Sequence, residues 1–221
     1  MQEFKINKEA IDDIKFLVKK KSNQKLHNKL RNLHYADIAE ILSKISTEEG
    51  TYLIKLLDSE KTADALAELD ENVRENIIEN LSVKEIAEEI EELDTDDATD
   101  LVSELPQDKR ESVISEISDS DHAEDIRELL SYDEDTAGGL MAKELVKIEE
   151  NLSVLKCLNA MRAQAEEVTR VHSIYVVDSK NRLKGRLSLK DLITANSKAK
   201  VKDIFIPKVD FVTVDQKGEE V

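Results

Sequence analysis

Asp94, Asp96, Asp97 and Asp100 crowd into one short stretch of the chain. Asp96 and Asp100 are four residues apart, so on a helix they share one face, and Asp97 flanks them. Like charges at that spacing repel unless something neutralises them. A hydrated Mg²⁺ ion would do so at little cost, because it keeps several waters and needs only one or two carboxylates. The same residues also read as an acidic, solvated face, with aspartates placed at a helix N-terminus for the macrodipole, and EF-hand spacing is absent. A second cluster is Gly185-Arg-Leu-Ser188-Leu-Lys-Asp191. Its simplest reading is a helix cap, with the Ser188 hydroxyl at a strand-to-helix turn. Cys157 is a lone thiol on an apolar helix and reads as core. His27, His34, His122 and His172 are not spaced as ligand pairs and read as surface or turn residues. No G-x-x-x-x-G-K, G-x-S-x-G or H-E-x-x-H occurs, so an enzymatic reading has no anchor.

The charge is unevenly distributed. The net charge is −17, yet residues 1–32 carry +5, residues 33–135 carry −25 and residues 136–221 carry +3. The middle segment repels phosphate, which argues against nucleic acid as a partner, and it attracts cations or a basic surface. Aromatics are 4% with no Trp, so stacking platforms for single strands are poorly supplied. One Cys excludes an intrachain disulfide framework and a Cys-rich zinc site. No apolar run approaches a membrane span, and the N-terminus is not a signal peptide, so an intracellular location is expected.

The acidic segment repeats with a period of 24 residues. Leu42, Leu66, Ile90 and Ile114 form one column, and Ile38, Thr62, Ile86 and Arg110 another. Ile54, Ile78, Val102 and Ile126 form a third, and Leu57, Leu81, Leu105 and Leu129 a fourth. Offsets of three and four within each half predict two short helices per unit. About four such units bury one another's apolar faces as a superhelix, right- or left-handed. The columns of Asp96 and Asp100 hold Glu48 and Tyr52, Asn72 and Asn76, and Ser120 and Glu124, so capping alone does not demand paired aspartates. Asp94, the Ser118–Ser120 turn and Pro106 mark helix starts. Ahead of the repeat, residues 3–32 predict a basic amphipathic helix with Phe4, Ile11, Ile14, Leu17 and Val18 as its apolar side.

The pattern breaks at Tyr132-Asp-Glu-Asp-Thr-Ala-Gly-Gly139, whose paired glycines permit backbone conformations a helix does not use. Leu145–Ile148, Ser173–Val177 and Leu183–Ser188 predict strands, the last two as a hairpin across Asp178–Asn181. Val154–Met161 and Asp191–Ala195 predict helix, and Phe211–Val214 a further strand. At Gly218 the chain would begin another helix.

The strand Ile174–Val177 ending in Asp178, then a turn, Leu183-Lys-Gly185 and G-x-x-[ST]-x-x-D, resembles a CBS domain. The order of an acidic helical repeat, Tyr132-Asp-Glu-Asp-Thr-Ala-Gly-Gly-Leu-Met141 and a CBS unit is similar to the cytosolic part of MgtE-type magnesium transporters. That resemblance implies an α-helical superhelix over residues 33–135, a complete first CBS copy over 136–200 and the start of a second, truncated copy over 201–221. It implies no enzyme. It implies a Mg²⁺-sensing regulatory region at the cytoplasmic face of the membrane, a homodimer attached to a transmembrane pore domain that this chain lacks. In that family Mg²⁺ bridges acidic surfaces and favours a compact, pore-closing state. The matching positions are Asp96, Asp97, Asp100, Gly138, Asp215, Glu219 and Glu220, whereas Lys217 stands where the family tends to offer an acid. Ser188 and Asp191 match positions that hold ATP or another adenine nucleotide. The competing reading is an interaction scaffold, in which the helical repeat takes a basic partner and the CBS unit binds nucleotide.

Overall fold

The computed structural model describes residues 6–165, 168, 171 and 173–221, which fall into two compact units, Met1–Leu130 and Ser131–Val221. Phe4 and His172 lie outside the described residues.

The helical unit begins with α1 (Lys8–Lys19) and α2 (Asn23–Leu30). The single helix expected over residues 3–32 is therefore two. Lys21 takes a left-handed conformation (φ 49°). Its N–H reaches the Val18 carbonyl at 2.8 Å, and that of Ser22 reaches Leu17 at 3.0 Å. This is a Schellman termination, which glycine usually supplies, so a lysine there gave no warning. Ile11, Ile14, Leu17 and Val18 are buried as expected.

The repeat follows in register. α3 (Tyr35–Leu42), α5 (Ser59–Ala67), α7 (Val83–Ile90) and α9 (Gln107–Glu116) start at 24-residue intervals. They alternate with α4 (Thr47–Ile54), α6 (Glu71–Ile78), α8 (Thr95–Ser103) and α10 (Ser120–Leu129). α3 packs on α5, α5 on α7 and α7 on α9, while α4 packs on α6 and α8 on α10. Each helix is too short to persist alone and is held by the faces it shares with its neighbours. Capping boxes at Ser46–Glu49 and Ser82–Glu85 fix two starts, and Asp119 caps α10 through the N–H groups of Asp121 and His122. Pro106 directly precedes α9.

The second unit is a three-stranded sheet in the order β1 (Val146–Glu149), β2 (Ile174–Val177), β3 (Leu183–Leu187). β1 and β2 are parallel, with Val146 opposite Ile174, and α11 (Val154–Ala165) lies between them in the chain. β2 and β3 form the expected hairpin, with Ile174 opposite Leu187. Val146, Ile148, Val154, Cys157, Ile174, Val176, Leu187, Leu192 and Val201 are its core.

Phe211–Val214 is not a strand. The backbone there accepts from the Gly138 N–H at the Val214 carbonyl (2.9 Å) and from the Gln216 N–H at the Thr213 carbonyl (3.0 Å), and Phe211 is 78% exposed. A ladder needs a row of partners, and among the described residues this segment has none. Gly218–Glu220 forms only a single 3-10 turn.

Candidate functional site

α8 turns Thr95, Ala98, Thr99, Leu101 and Val102 inward, and the Thr99 hydroxyl donates to the Thr95 carbonyl at 2.6 Å. That inward face sends Asp97 and Asp100 to the solvent side and leaves Asp96 half-buried. The Asp97 carboxyl is pushed above the usual carboxylate range, first by partial desolvation and then by Asp96, Asp100, Asp94 and Asp64. Asp64 on α5 is raised as well, by desolvation and then chiefly by Glu60 and Asp94. The acids of α5, the Asp94 turn and α8 thus share one repulsive field. Among the described residues, no group of three or more His, Cys, Asp or Glu side chains converges to hold an ion.

Arg74 is a cation set into this surface, in the field of Glu104, Asp100 and Glu71. Its guanidinium forms a two-pronged ion pair with Glu104 and also donates to the carbonyls of Leu66, Ala67 and Leu69, so it caps the end of α5. Glu89 on α7 escaped the sequence reading altogether. One of its carboxylate oxygens is buried without a hydrogen-bond partner. Burial, then Glu88, Glu92, Asp58 and Glu85, push the carboxyl up to about 8. The repeat held the signal: the column of Glu89 contains Ile41, Ala65 and Val113, all fully buried.

In the second unit the loop from Asp133 to Leu140 meets the segment Val214–Glu219. The Ala137 N–H donates to the Gln216 carbonyl (2.8 Å), and that of Gly218 to the Asp135 carbonyl (2.8 Å). A cleft of about 650 Å³ opens between them, lined by Glu134, Asp135, Leu140, Lys217, Gly218 and Glu219. The glycines here do not serve through unusual dihedrals, since no glycine has positive φ. They serve through close approach instead. A Cβ on Gly138 would stand 2.7 Å from the Tyr132 ring, and one on Gly139 would stand 2.5 Å from the Asp133 carbonyl oxygen. Asp215 is exposed and held below the usual range by the Thr213 hydroxyl and its own backbone N–H. The Lys217 ammonium lies 3.8 Å from the Asp133 carboxylate. Glu219 and Glu220 are exposed on the 3-10 turn.

Ser188 caps α12 (Leu189–Thr194): its hydroxyl accepts from the Asp191 N–H at 3.0 Å and donates to the Asp191 carboxylate at 2.7 Å. Gly185 is needed for contact, because a Cβ would run into the Ile206 carbonyl and stand 2.6 Å from the Phe205 ring. Asp178 organises the hairpin turn. It accepts from the N–H groups of Lys180 and Arg182 and from the Arg182 guanidinium, which pulls its carboxyl down to about 2. The Cys157 thiol is buried and raised to about 11, as suits a core thiol.

Residues 33–135 match the MgtE intracellular N domain, and residues 137–198 match the CBS domain. The chain is thus similar to an MgtE N domain followed by a CBS domain. Over 90 residues it is 47% identical to the magnesium transporter MgtE of Thermus thermophilus, a match covering 41% of this chain and 20% of that protein. The MgtE of Enterococcus faecalis is 35% identical over 92 residues, 42% of this chain and again 20% of the relative. The matched stretch is thus a fifth of the length of these curated relatives. The crystal structure of the cytosolic domain of the Mg²⁺ channel MgtE in complex with ATP superposes with a TM-score of 0.85 at 29% identity, covering 95% of this chain and 86% of that one. The soluble part of a magnesium transporter superposes with a TM-score of 0.80 at 25% identity, covering 96% and 83%.

Within this frame the expected site residues form two sets. Asp96, Asp97 and Asp100 lie together on α8, within the residues that match the MgtE N domain. Gly138, Asp215, Glu219 and Glu220 lie in the second unit, where backbone hydrogen bonds draw their two segments side by side.

Proposed function

We propose that this chain is the Mg²⁺-sensing regulatory region of a magnesium transporter, acting at the cytoplasmic face of the membrane as a homodimer joined to a transmembrane pore domain. The observation that carries it is Asp97. Its raised carboxyl, within the field of Asp64, Asp94, Asp96 and Asp100, means that ionising the α8 face costs free energy that a divalent ion returns. Two like charges about 4 Å apart cost roughly 1 kcal/mol in water and about 4 kcal/mol at an effective dielectric of 20. Reversing a 1:99 population takes roughly 5.5 kcal/mol of preferential binding, within reach of a few weak sites. Mg²⁺ on Asp96, Asp97 and Asp100, and on the Gly138 carbonyl, Asp215, Glu219 and Glu220, would favour a compact state that closes the pore of the parent protein. In the second set Lys217 already brings one positive charge to Asp133. The test is calorimetric titration of Mg²⁺ into the parent chain and Asp96→Ala/Asp100→Ala. Loss of part of the binding heat supports the reading, and unchanged isotherms contradict it.

Nucleotide regulation is a second element of the proposal, favoured by the MgtE cytosolic domain that carries ATP. Ser188 and Asp191 would turn from their mutual hydrogen bond to the ribose and phosphate. ATP should bind the parent chain and bind Asp191→Ala at least tenfold more weakly, by equilibrium dialysis.

A further inference from the structure

We infer that the corner where α1 ends is a docking surface for an anionic lipid bilayer. Ile11, Ile14, Leu17 and Val18 take up the inward face of α1, so Phe16 is left outside, 57% exposed. Lys20 lies over its ring, the ammonium 5.8 Å from the centroid. Lys19, Lys20, Lys21 and Lys25 are exposed at the end of α1 and the start of α2, and Lys15 is half-buried. Among the described residues none of these five lysines makes an ion pair, although the repeat that follows them is strongly acidic. Lys29, by contrast, is held by Asp13 at 3.0 Å.

The helix dipole accounts for a lysine in the last turn of α1, but not for Lys21 or Lys25 beyond it, nor for the bare phenylalanine. Lys21 also occupies a left-handed position that glycine would adopt without strain. An exposed aromatic side chain with one lysine over its ring and further unpaired lysines in the adjoining turns combines the two signals that peripheral attachment needs, an apolar anchor and a basic patch. Of the acids on α1, Glu9 lies in the first turn, while Asp12 and Asp13 stand one turn before Phe16, where Asp13 is taken up by Lys29.

The full chain should sediment with vesicles of phosphatidylcholine plus phosphatidylglycerol, not with phosphatidylcholine alone, and high salt should release it. Phe16→Ala should weaken binding roughly tenfold. Lys19→Gln and Lys20→Gln should each weaken it roughly fivefold. All three positions are solvent-facing, and unchanged circular dichroism would show that the variants fold. Because the chain has no Trp, Phe16→Trp adds a single reporter, whose emission should shift to the blue on the acidic vesicles. No sedimentation with acidic vesicles at low salt, or no emission shift, overturns the inference. So does equal binding to a DNA duplex that Phe16→Ala leaves untouched, or a vesicle-free dimer that the lysine variants abolish.

Discussion

Glu89 occupies a column that is otherwise Ile41, Ala65 and Val113, and its carboxyl is raised to about 8. In the unfolded chain it titrates near 4.5. Between those values the folded state holds a proton that the unfolded state has released, so stability falls as pH rises through this window and levels off above it. α5, on one side of α7, contributes Asp58 to the field. α9, on the other, carries Asp108, Lys109, Arg110, Glu111 and Glu116, with Lys109 turned to the Ile78 carbonyl and Arg110 to those of Ser103 and Leu105. Glu89→Gln should match the parent near pH 4.5 and exceed it by about 1–2 kcal/mol at pH 8, discounted for partial solvation. Urea titrations at the two pH values would measure this, and a variant that tracks the parent at both would refute it. Asp97 carries the same sign. Protons compete with Mg²⁺ for a raised carboxyl, so the Mg²⁺ response should weaken as pH falls into the carboxylate range. At this scale the sequence hid what mattered. The α8 aspartates stood out by spacing, while Glu89 vanished in an acid-rich helix until the repeat columns were compared with burial.

Helix α5 ends where Arg74 gathers the carbonyls of Leu66, Ala67 and Leu69 and pairs with Glu104. Removing the guanidinium strands a half-buried carboxylate and leaves the carbonyls to water, so Arg74→Ala should cost about 2 kcal/mol in thermal unfolding. In the sheet, Gly185→Ala forces a methyl toward the Ile206 carbonyl and the Phe205 ring. It should destabilise the second unit by about 1–3 kcal/mol while leaving helical circular dichroism from the first unit intact. Element boundaries were readable wherever a column of apolar residues met a cap: α3 to α10 begin close to the positions the 24-residue period sets. The failures have physical causes. Lys21 adopts a conformation that its identity does not advertise. Phe211–Val214 has strand composition, but among the described residues no ladder receives it. The Gly138-Gly139 pair breaks the helix pattern by closeness of packing and not by dihedral freedom.

At the scale of the molecule the order of domains carried more information than any motif, since an acidic repeat followed by a CBS unit is specific where Ser188 and Asp191 alone would pass for a cap. Each unit has its own apolar cluster. Residues 1–130, expressed alone, should therefore keep their helical spectrum and unfold cooperatively; a molten spectrum would show that the first unit leans on the second for its fold. The central claim is that repelling carboxylates are relieved by a divalent ion, and it makes the whole chain's stability a function of Mg²⁺. An ion at ten times the dissociation constant of one site adds about 1.4 kcal/mol, and several sites add more. The direct measurement is the thermal midpoint in Mg²⁺ and in chelator at matched ionic strength. The midpoint should rise by several degrees in Mg²⁺, and by less in Asp97→Asn; a midpoint that stays where it was in both would contradict the account.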